Sequence, residues 1–582
     1  MSPATARRLR QGLEGLVLGS AAALYLAFAL PVSLWIGNRA EFTAPWTTLL
    51  GPFMAPAALV VLGCGLLAAL STPAMHARGR VLFAAALLMA WVQGTLLVWD
   101  YGLFDGSGID WSVGAWRGLV DASLWIGVPL AAYLGRNRFG EVVVRAAVAL
   151  CLVQAVLSGS SLVGADRSAV EDGAAAQAVL ADFSPDNNVL HLIADGFQTD
   201  TFADLLAEPG GADRARALDG FVLFRDNLGV FPSTHLAVPA LVGGQVYENA
   251  EPLPAFIDRA MGADNILGAA RKSGYEVEIG APTGGVQPIY RKATDARVLG
   301  IASTRHDGAM RAARNESLLL ADLVLFRIAP HLAKRSVYND QRWFLQWRYG
   351  QRLPGQDFIG HNAFLREMAA RMTAHRPRPT YKVIHLMLSH LPLVARRDCS
   401  TSAWPLEVER ENVRNQQRCS LANVLGLLQA MRRLGIYDSA TIMVSGDHGS
   451  FMPPDSLGGE KAQGQAPVWV GQARPVMLVK APGAHGPLRV SDAPTWIIDT
   501  GATIADAAAI PGRFPGTSAL RLAPGAARQR RFLIYEYHGA EWDADYVREI
   551  REFIVEGPGD QLSSWRQGRT LRPREAAPAA AR

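Results

Sequence analysis

Three apolar runs end in residues that can do chemistry. NVLHLIA leads into Asp195-Gly196, TIMVS into Gly446-Asp447-His448-Gly449, and YKVIHLML into Ser389-His390-Leu391-Pro392. A carboxylate beside an imidazole, as at Asp447-His448, is a ligand pair suited to Zn²⁺ or Mn²⁺. The flanking glycines allow a sharp turn and close approach of a ligand. A fourth stretch, FPSTHLAVPALVGG from Phe231 to Gly244, sets the hydroxyls of Ser233 and Thr234 just ahead of an apolar run. Either hydroxyl could serve as a nucleophile beside a metal, because a bound cation lowers the pKa of a coordinated oxygen by several units. Each stretch also has a purely structural reading. Ser233-Thr234 fits a helix N-cap, Asp195-Gly196 fits a plain turn, and Asp447-His448 fits a hydrogen-bonded loop pair.

The elements around these stretches alternate. Asn188–Ala194, Tyr275–Ile279, Tyr381–Leu388, Thr441–Ser445 and Val476–Val479 read as buried strands, and Asn362–Ala374, Leu421–Leu434 and Trp496–Ala508 have helical apolar spacing. Such alternation predicts an α/β domain with a mostly parallel sheet and helices on both faces. Ligands in such sheets gather beyond the carboxyl ends of the strands, where Asp195, His390 and Asp447 stand.

The first part of the chain is different. Five runs approach the roughly 20 apolar residues that a bilayer-spanning helix needs: Leu16–Ile36, Leu49–Leu70, Val81–Trp99, Trp116–Leu134 and Val142–Leu162. Their succession argues against a cleaved signal peptide. The short loops sort by charge. Arg7, Arg8 and Arg10 precede the first run, Arg78 and Arg80 follow the second, and Arg136 and Arg138 follow the fourth. The alternate loops hold Arg39, and Arg117 with Asp100, Asp105 and Asp110. Positive loops stay in the cytoplasm, so five crossings put everything after Leu162 on the far side. Cys399 and Cys419 are the only cysteines there. An oxidising compartment favours a disulfide between them, the alternative being two free thiols. A net charge of +5 on 582 residues, with no basic stripe interleaved with aromatics, gives no footprint for nucleic acid.

The blocks NNVLHLIADGF, DNLGVFPSTHLAVPALVGG, IHLMLSHLP, TIMVSGDHGS and ARPVMLVKAPG, in that order, resemble the alkaline phosphatase and sulfatase superfamily. Five spans followed by an extracytoplasmic domain are similar to the lipid A phosphoethanolamine transferases and the lipoteichoic acid synthases. The five runs give an α-helical transmembrane bundle over 1–163, the polar, alanine-rich 164–186 reads as a linker and the proline- and alanine-containing 566–582 as a disordered tail, while the resemblance implies a periplasmic sulfatase-like catalytic domain over 187–565. It implies that Asp195, Asp447 and His448 hold one divalent metal, Zn or Mn, together with the oxygen of Thr234. Thr234 lies five residues before Pro239, as the nucleophile does in the phosphoethanolamine enzymes, and Ser233 is the rival hydroxyl. His390, in an H-x-x-x-x-H-x-P arrangement with His385, matches a histidine that meets the substrate phosphate. His385 reads equally as a second substrate contact or as a hydrogen-bonded core histidine.

The departures also inform. Thr234 is followed by His235, Leu236 and Ala237, so the C/S-x-P-x-R motif of true sulfatases is absent. No histidine occurs between Phe451 and Pro467, where the phosphoethanolamine enzymes place one, and this leans toward a single-metal pattern. The expected protein is a multi-pass enzyme of a bacterial inner membrane. It would pass a phospholipid head group, phosphoethanolamine or phosphoglycerol, through Thr234 to an envelope glycan or lipid. A phosphodiesterase and a non-catalytic lipid-binding regulator are the alternatives. Leu318–Phe326, with Arg327, His331, Lys334, Arg335, Trp343 and Trp347 after it, reads as a membrane-surface segment or as an ordinary core helix.

Overall fold

The computed structural model describes the chain apart from residues 1, 39–41, 43, 100, 102–110, 112–115, 166–173, 283–285, 302–308, 340–342, 351–355, 403–404, 455–456, 458–468, 536–544 and 574–582. The loop charges Arg39, Asp100, Asp105 and Asp110, residues 166–173 of the expected linker and the end of the expected tail therefore lie outside the described residues; the rest of the expected linker is corrected, since Ala174–Ala181 is a helix and Leu180 and Phe183 are buried in a core of the second unit. The chain forms two compact units, one of residues 1–169 with 306–352, the other of 170–305 with 353–582.

The first unit is helical. Pro3–Gly37, Gly51–Leu70, Pro73–Thr95 and Arg136–Leu162 are long and apolar enough to cross a membrane. Trp116–Leu134 is also a helix, but it carries Arg117 and Asp121 and stands outside that set. The first and second helices pack on a stripe of small residues. A Cβ at Gly15 would fall 2.4 Å from the carbonyl oxygen of Cys64, so only glycine lets the backbones meet this closely. The first helix widens to a π turn over Tyr25–Ala29, just before Pro31, whose nitrogen cannot donate to the helix ladder.

Residues 306–352 return to this helical unit, which corrects the expected unbroken catalytic domain over 187–565. The reason is packing. Leu320 of the helix Ala309–Ile328 is buried with Val32, Trp35 and Leu49, and Val324 with Tyr25, Leu30 and Ala147.

The second unit is built on an eight-stranded sheet. Its strands are β1 (Val189–Ala194), β2 (Val222–Phe224), β3 (Glu276–Pro282), β4 (Arg297–Ile301), β5 (Thr380–Leu386), β6 (Thr441–Ser445), β7 (Met477–Lys480) and β8 (Arg489–Ser491). The order is β4-β3-β5-β1-β6-β7-β2-β8, and only β7 runs against its neighbours. β1 pairs in parallel with β5 on one side and β6 on the other. Alternate residues of β1 enter different cores, Val189 and Ile193 one, Leu190, Leu192 and Ala194 the other. A sheet buried on both faces therefore carries continuous apolar runs rather than alternation.

A second, antiparallel sheet follows, of β9 (Gln529–Ile534), β10 (Ile550–Glu556) and β11 (Trp565–Leu571). The last strand corrects the expected disordered tail from Arg566. Its main chain pairs with β10, although its side chains alternate too weakly to announce a strand. Cys399 and Cys419 form a disulfide.

Arg530 of β9 is fully buried. It donates to the Asp226 carboxylate at 2.8 Å and to the carbonyls of Thr495 at 3.1 Å and Gly557 at 2.7 Å. Removing one partner of a buried ion pair costs about 3–5 kcal/mol. Arg530→Met should lower the unfolding midpoint of the second unit accordingly, measured on the full chain in detergent, with Arg530→Lys falling between.

Candidate active site

β5, β1 and β6 lie side by side and point the same way, so their carboxyl ends form one ledge. Asp195 follows β1, and Gly196 after it takes a φ of +72°, which turns the chain away at once. Asp447 and His448 follow β6. Gly449 comes next, where a Cβ would fall 2.1 Å from the carbonyl oxygen of Gly471. That contact explains why glycine ends the SGDHG run.

Thr234 is the first residue of the helix Thr234–Gly243, and Ser233 occupies the N-cap position. The Ser233 side chain makes no cap hydrogen bond. Its hydroxyl lies 2.5 Å from that of Tyr535, away from the carboxylates. The Ser233 side chain therefore does not cap the helix, and its hydroxyl meets Tyr535. The Thr234 hydroxyl donates to Asp195 Oδ2 at 3.2 Å and lies 3.4 Å from His448 Nε2. His448 Nε2 is in turn 3.4 Å from Asp195 Oδ1 and 3.7 Å from Asp447 Oδ2. The four residues Asp195, Thr234, Asp447 and His448 converge.

Two histidines complete the cluster. His390 groups with Asp195 and His448, and His385 groups with Asp195 and Asp447, their ligating atoms lying within 4.8 Å of one another. His385 is fully buried in β5, with Nδ1 2.9 Å from the Tyr290 hydroxyl and Nε2 3.5 Å from Asp195 Oδ2. It is a hydrogen-bonded core histidine that also lies beside Asp195.

The residues fit a divalent cation. Asp447 and Asp195 are both fully buried. Among the described residues, neither oxygen of Asp447 and not Oδ1 of Asp195 meets a hydrogen-bond donor. Buried polar groups are normally satisfied, and a bare buried carboxylate is costly. The imidazoles are oriented to match. His448 Nδ1 lies 2.8 Å from the Gly449 carbonyl and His390 Nδ1 2.8 Å from the Leu391 carbonyl. A carbonyl only accepts, so Nδ1 carries the proton and each Nε2 presents a lone pair, the arrangement that fixes metal-binding tautomers. Burial would raise the Asp195 carboxyl, but the imidazoles of His390, His385 and His448 beside it hold it below the usual carboxylate range. Burial likewise works against a charged His448, yet Asp447 and Asp195 raise its pKa. Both directions mark a spot that attracts positive charge.

The loop carrying His390 is fastened from the helix Arg410–Arg433. Gln416, fully buried on the helix Arg410–Arg433, accepts from the N–H of Val394 at 2.8 Å and donates to the carbonyl of His390 at 2.9 Å. One helical turn on, Ser420 donates to the Leu388 carbonyl at 2.8 Å. Gln416, Tyr290 and Tyr535 carry no sequence signal, since none lies near a motif. His385 carried one, the parity that sets it on the face of Tyr381 and Val383.

Solved structures similar in fold to this chain cover about two thirds of it. One is Ps i-CgsB in complex with k-i-k-neocarrahexaose, at 14% identity and a TM-score of 0.41, covering 66% of this chain and 86% of that one. Another is the phosphonate monoester hydrolase SpPMH from Silicibacter pomeroyi, at 18% identity, TM-score 0.38, and 64% and 87% coverage. A third is the lipoteichoic acid synthase LtaP from Listeria monocytogenes, at 12% identity, TM-score 0.36, and 64% and 85% coverage. No protein-family model and no curated protein matches the chain.

Asp447→Asn should weaken binding of Zn²⁺ or Mn²⁺ by more than the roughly 10- to 100-fold that loss of an outer hydrogen-bond partner costs. Metal content of the purified full chain after dialysis against graded chelator checks this.

Proposed function

We propose that the protein is a metal-dependent phosphotransferase of a bacterial inner membrane. Its second unit would face the periplasm and move a phospholipid head group, phosphoethanolamine or phosphoglycerol, to an envelope glycan or lipid. The observation that carries this reading is the Thr234 hydroxyl turned into the meeting point of Asp195, Asp447 and His448. A Zn²⁺ or Mn²⁺ ion held by Asp195, Asp447 and His448 would supply charge to acidify a nearby hydroxyl and to neutralise phosphoryl oxygens.

The chain's own residues account for the rest. Thr234 Oγ1 attacks the phosphorus of the donor diester, and the bond from phosphorus to the diacylglycerol oxygen breaks. His390 Nε2, whose ring is oriented through Nδ1, takes the threonine proton and returns it to that oxygen. Diacylglycerol leaves, and the head-group phosphate stays esterified to Thr234. An acceptor hydroxyl or phosphate oxygen then attacks the same phosphorus, its proton passes to His390, and Thr234 is released as the hydroxyl. Such a two-step exchange is ping-pong. The helix that begins at Thr234 directs its N-terminal dipole at the phosphate, which favours the anion. Gln416 is a positioning residue that holds the main chain at His390 and just after it.

Intact-mass measurement of the full chain incubated with phosphatidylethanolamine or phosphatidylglycerol tests the reading. A head-group phosphate adduct should appear on the wild-type chain and vanish in Thr234→Ala. Head-group release to water without an adduct, or turnover surviving in Thr234→Ala, overturns it in favour of hydrolysis or of a non-catalytic protein.

Gln416→Ala should lower kcat by about tenfold or more, in line with the cost of small misplacements, while leaving metal content unchanged. Gln416→Glu, which keeps the acceptor toward Val394, should recover part of the rate.

A further inference from the structure

The helix Ala309–Ile328 and the segment after it meet the helical unit where several of its spans end, and Val324 also packs among Tyr25, Leu30 and Ala147. Leu320 packs on Trp35 in the last turn of the first span and on Leu49 just before the second. Arg327 Nε donates to the carbonyl of Gly94, at the end of the third span, at 3.0 Å. The backbone N–H of His331 donates to Asp121, near the start of Trp116–Leu134, at 2.7 Å. Leu162, at the end of the last span, borders the same cluster as Leu320. Helices that cross a bilayer end at its boundary, so a segment bound to all of these ends lies at that boundary.

The side chains gathered there suit that place. Trp99 and Trp116 are in edge contact at 5.2 Å, Tyr101 meets Phe326 at 5.4 Å, and Tyr338 meets Trp343 at 5.3 Å. Tryptophan and tyrosine concentrate where apolar and wet surroundings meet. Beyond this layer the segment turns apolar surface outward. Leu332 is 74% exposed, Phe344 46%, Trp347 42% and Tyr349 57%, with Arg335 and Arg348 exposed among them. The aromatic helix Phe344–Tyr349 is held in place, since the buried Asp322 accepts from the N–H groups of Leu345 and Gln346 at 2.8 Å each. An exposed aromatic and aliphatic patch mixed with arginine, mounted on a rigid support, is a binding surface rather than a frayed end.

We infer that the surface formed by Leu332, Phe344, Trp347 and Tyr349, with Arg335 and Arg348, is seated in the phospholipid head-group layer at the exit end of the helical bundle. Its ligand is a glycerophospholipid interface: apolar side chains reach the acyl boundary and the guanidinium groups meet lipid phosphates. The inference rests on the membrane-spanning reading of the bundle and is independent of the chemistry at Thr234.

Site-directed spin labelling of the full chain, reconstituted in nanodiscs of phosphatidylethanolamine and phosphatidylglycerol, tests it. The background is Cys64→Ser with Cys151→Ala, and labels go at Leu332→Cys, Trp347→Cys, Leu59→Cys and Leu434→Cys, one at a time. Relative collision with oxygen and with a water-soluble nickel chelate reports depth. Leu59, exposed within the second span, should read as hydrocarbon, Leu434 of the second unit as water, and positions 332 and 347 as intermediate. If 332 and 347 match Leu434 while Leu59 reads as hydrocarbon, the interfacial seat is wrong. If Leu59 also reads as water, the membrane-spanning reading itself fails. Protection of 332 and 347 that disappears when the protein is diluted into more lipid would assign the surface to a second copy of the chain and overturn the proposal.

Discussion

A carboxylate deep in a protein must meet a positive charge or hydrogen-bond donors, and Asp447 meets no donor among the described residues. The architecture around it follows from that constraint. β5, β1 and β6 stand adjacent and parallel so that Asp195 and Asp447 can share one focus. Gly449 brings the Gly471 backbone close, and the carbonyls of Gly449 and Leu391 turn two imidazoles so that their lone pairs are available. The cost of holding two anions together away from water is too large to be incidental, and the histidines drawn around Asp195 answer the same field.

Most of this focus was legible in the sequence because each member ends an element that announces itself. The runs before Asp195, Asp447 and His390 are buried on both faces and hence nearly unbroken in apolar residues, and such runs have only two ends. Thr234 was legible as a hydroxyl at a helix start, where the capping and catalytic readings coincide. The structure separates them: the hydroxyl points to Asp195, and the N-cap serine is hydrogen-bonded elsewhere.

What stayed hidden depends on long-range placement. Ser233 and Thr234 differ by one position, and only the folded chain pairs the first with Tyr535 and the second with Asp195. Gln416 looks like any polar residue on a helix until the loop after β5 folds across it. The helix around Leu320 has the composition of a core helix in either unit, and nothing local says which core will take it. β11 shows the converse. A strand can be held by main-chain pairing to β10 while its side chains, Arg566, Gln567, Arg569 and Thr570, look like those of a solvated tail.

The return of residues 306–352 to the helical unit means that the polypeptide passes between the two units three times, near positions 169, 305 and 352. Cutting the chain near position 169 therefore does not free a water-soluble second unit. A fragment starting at Ala174 keeps the helix Ala309–Ile328 but loses the partners that cover Leu320 and Val324. Such a fragment would clump through that greasy helix, and obtaining it in solution requires excising or redesigning the insert as well as removing the spans.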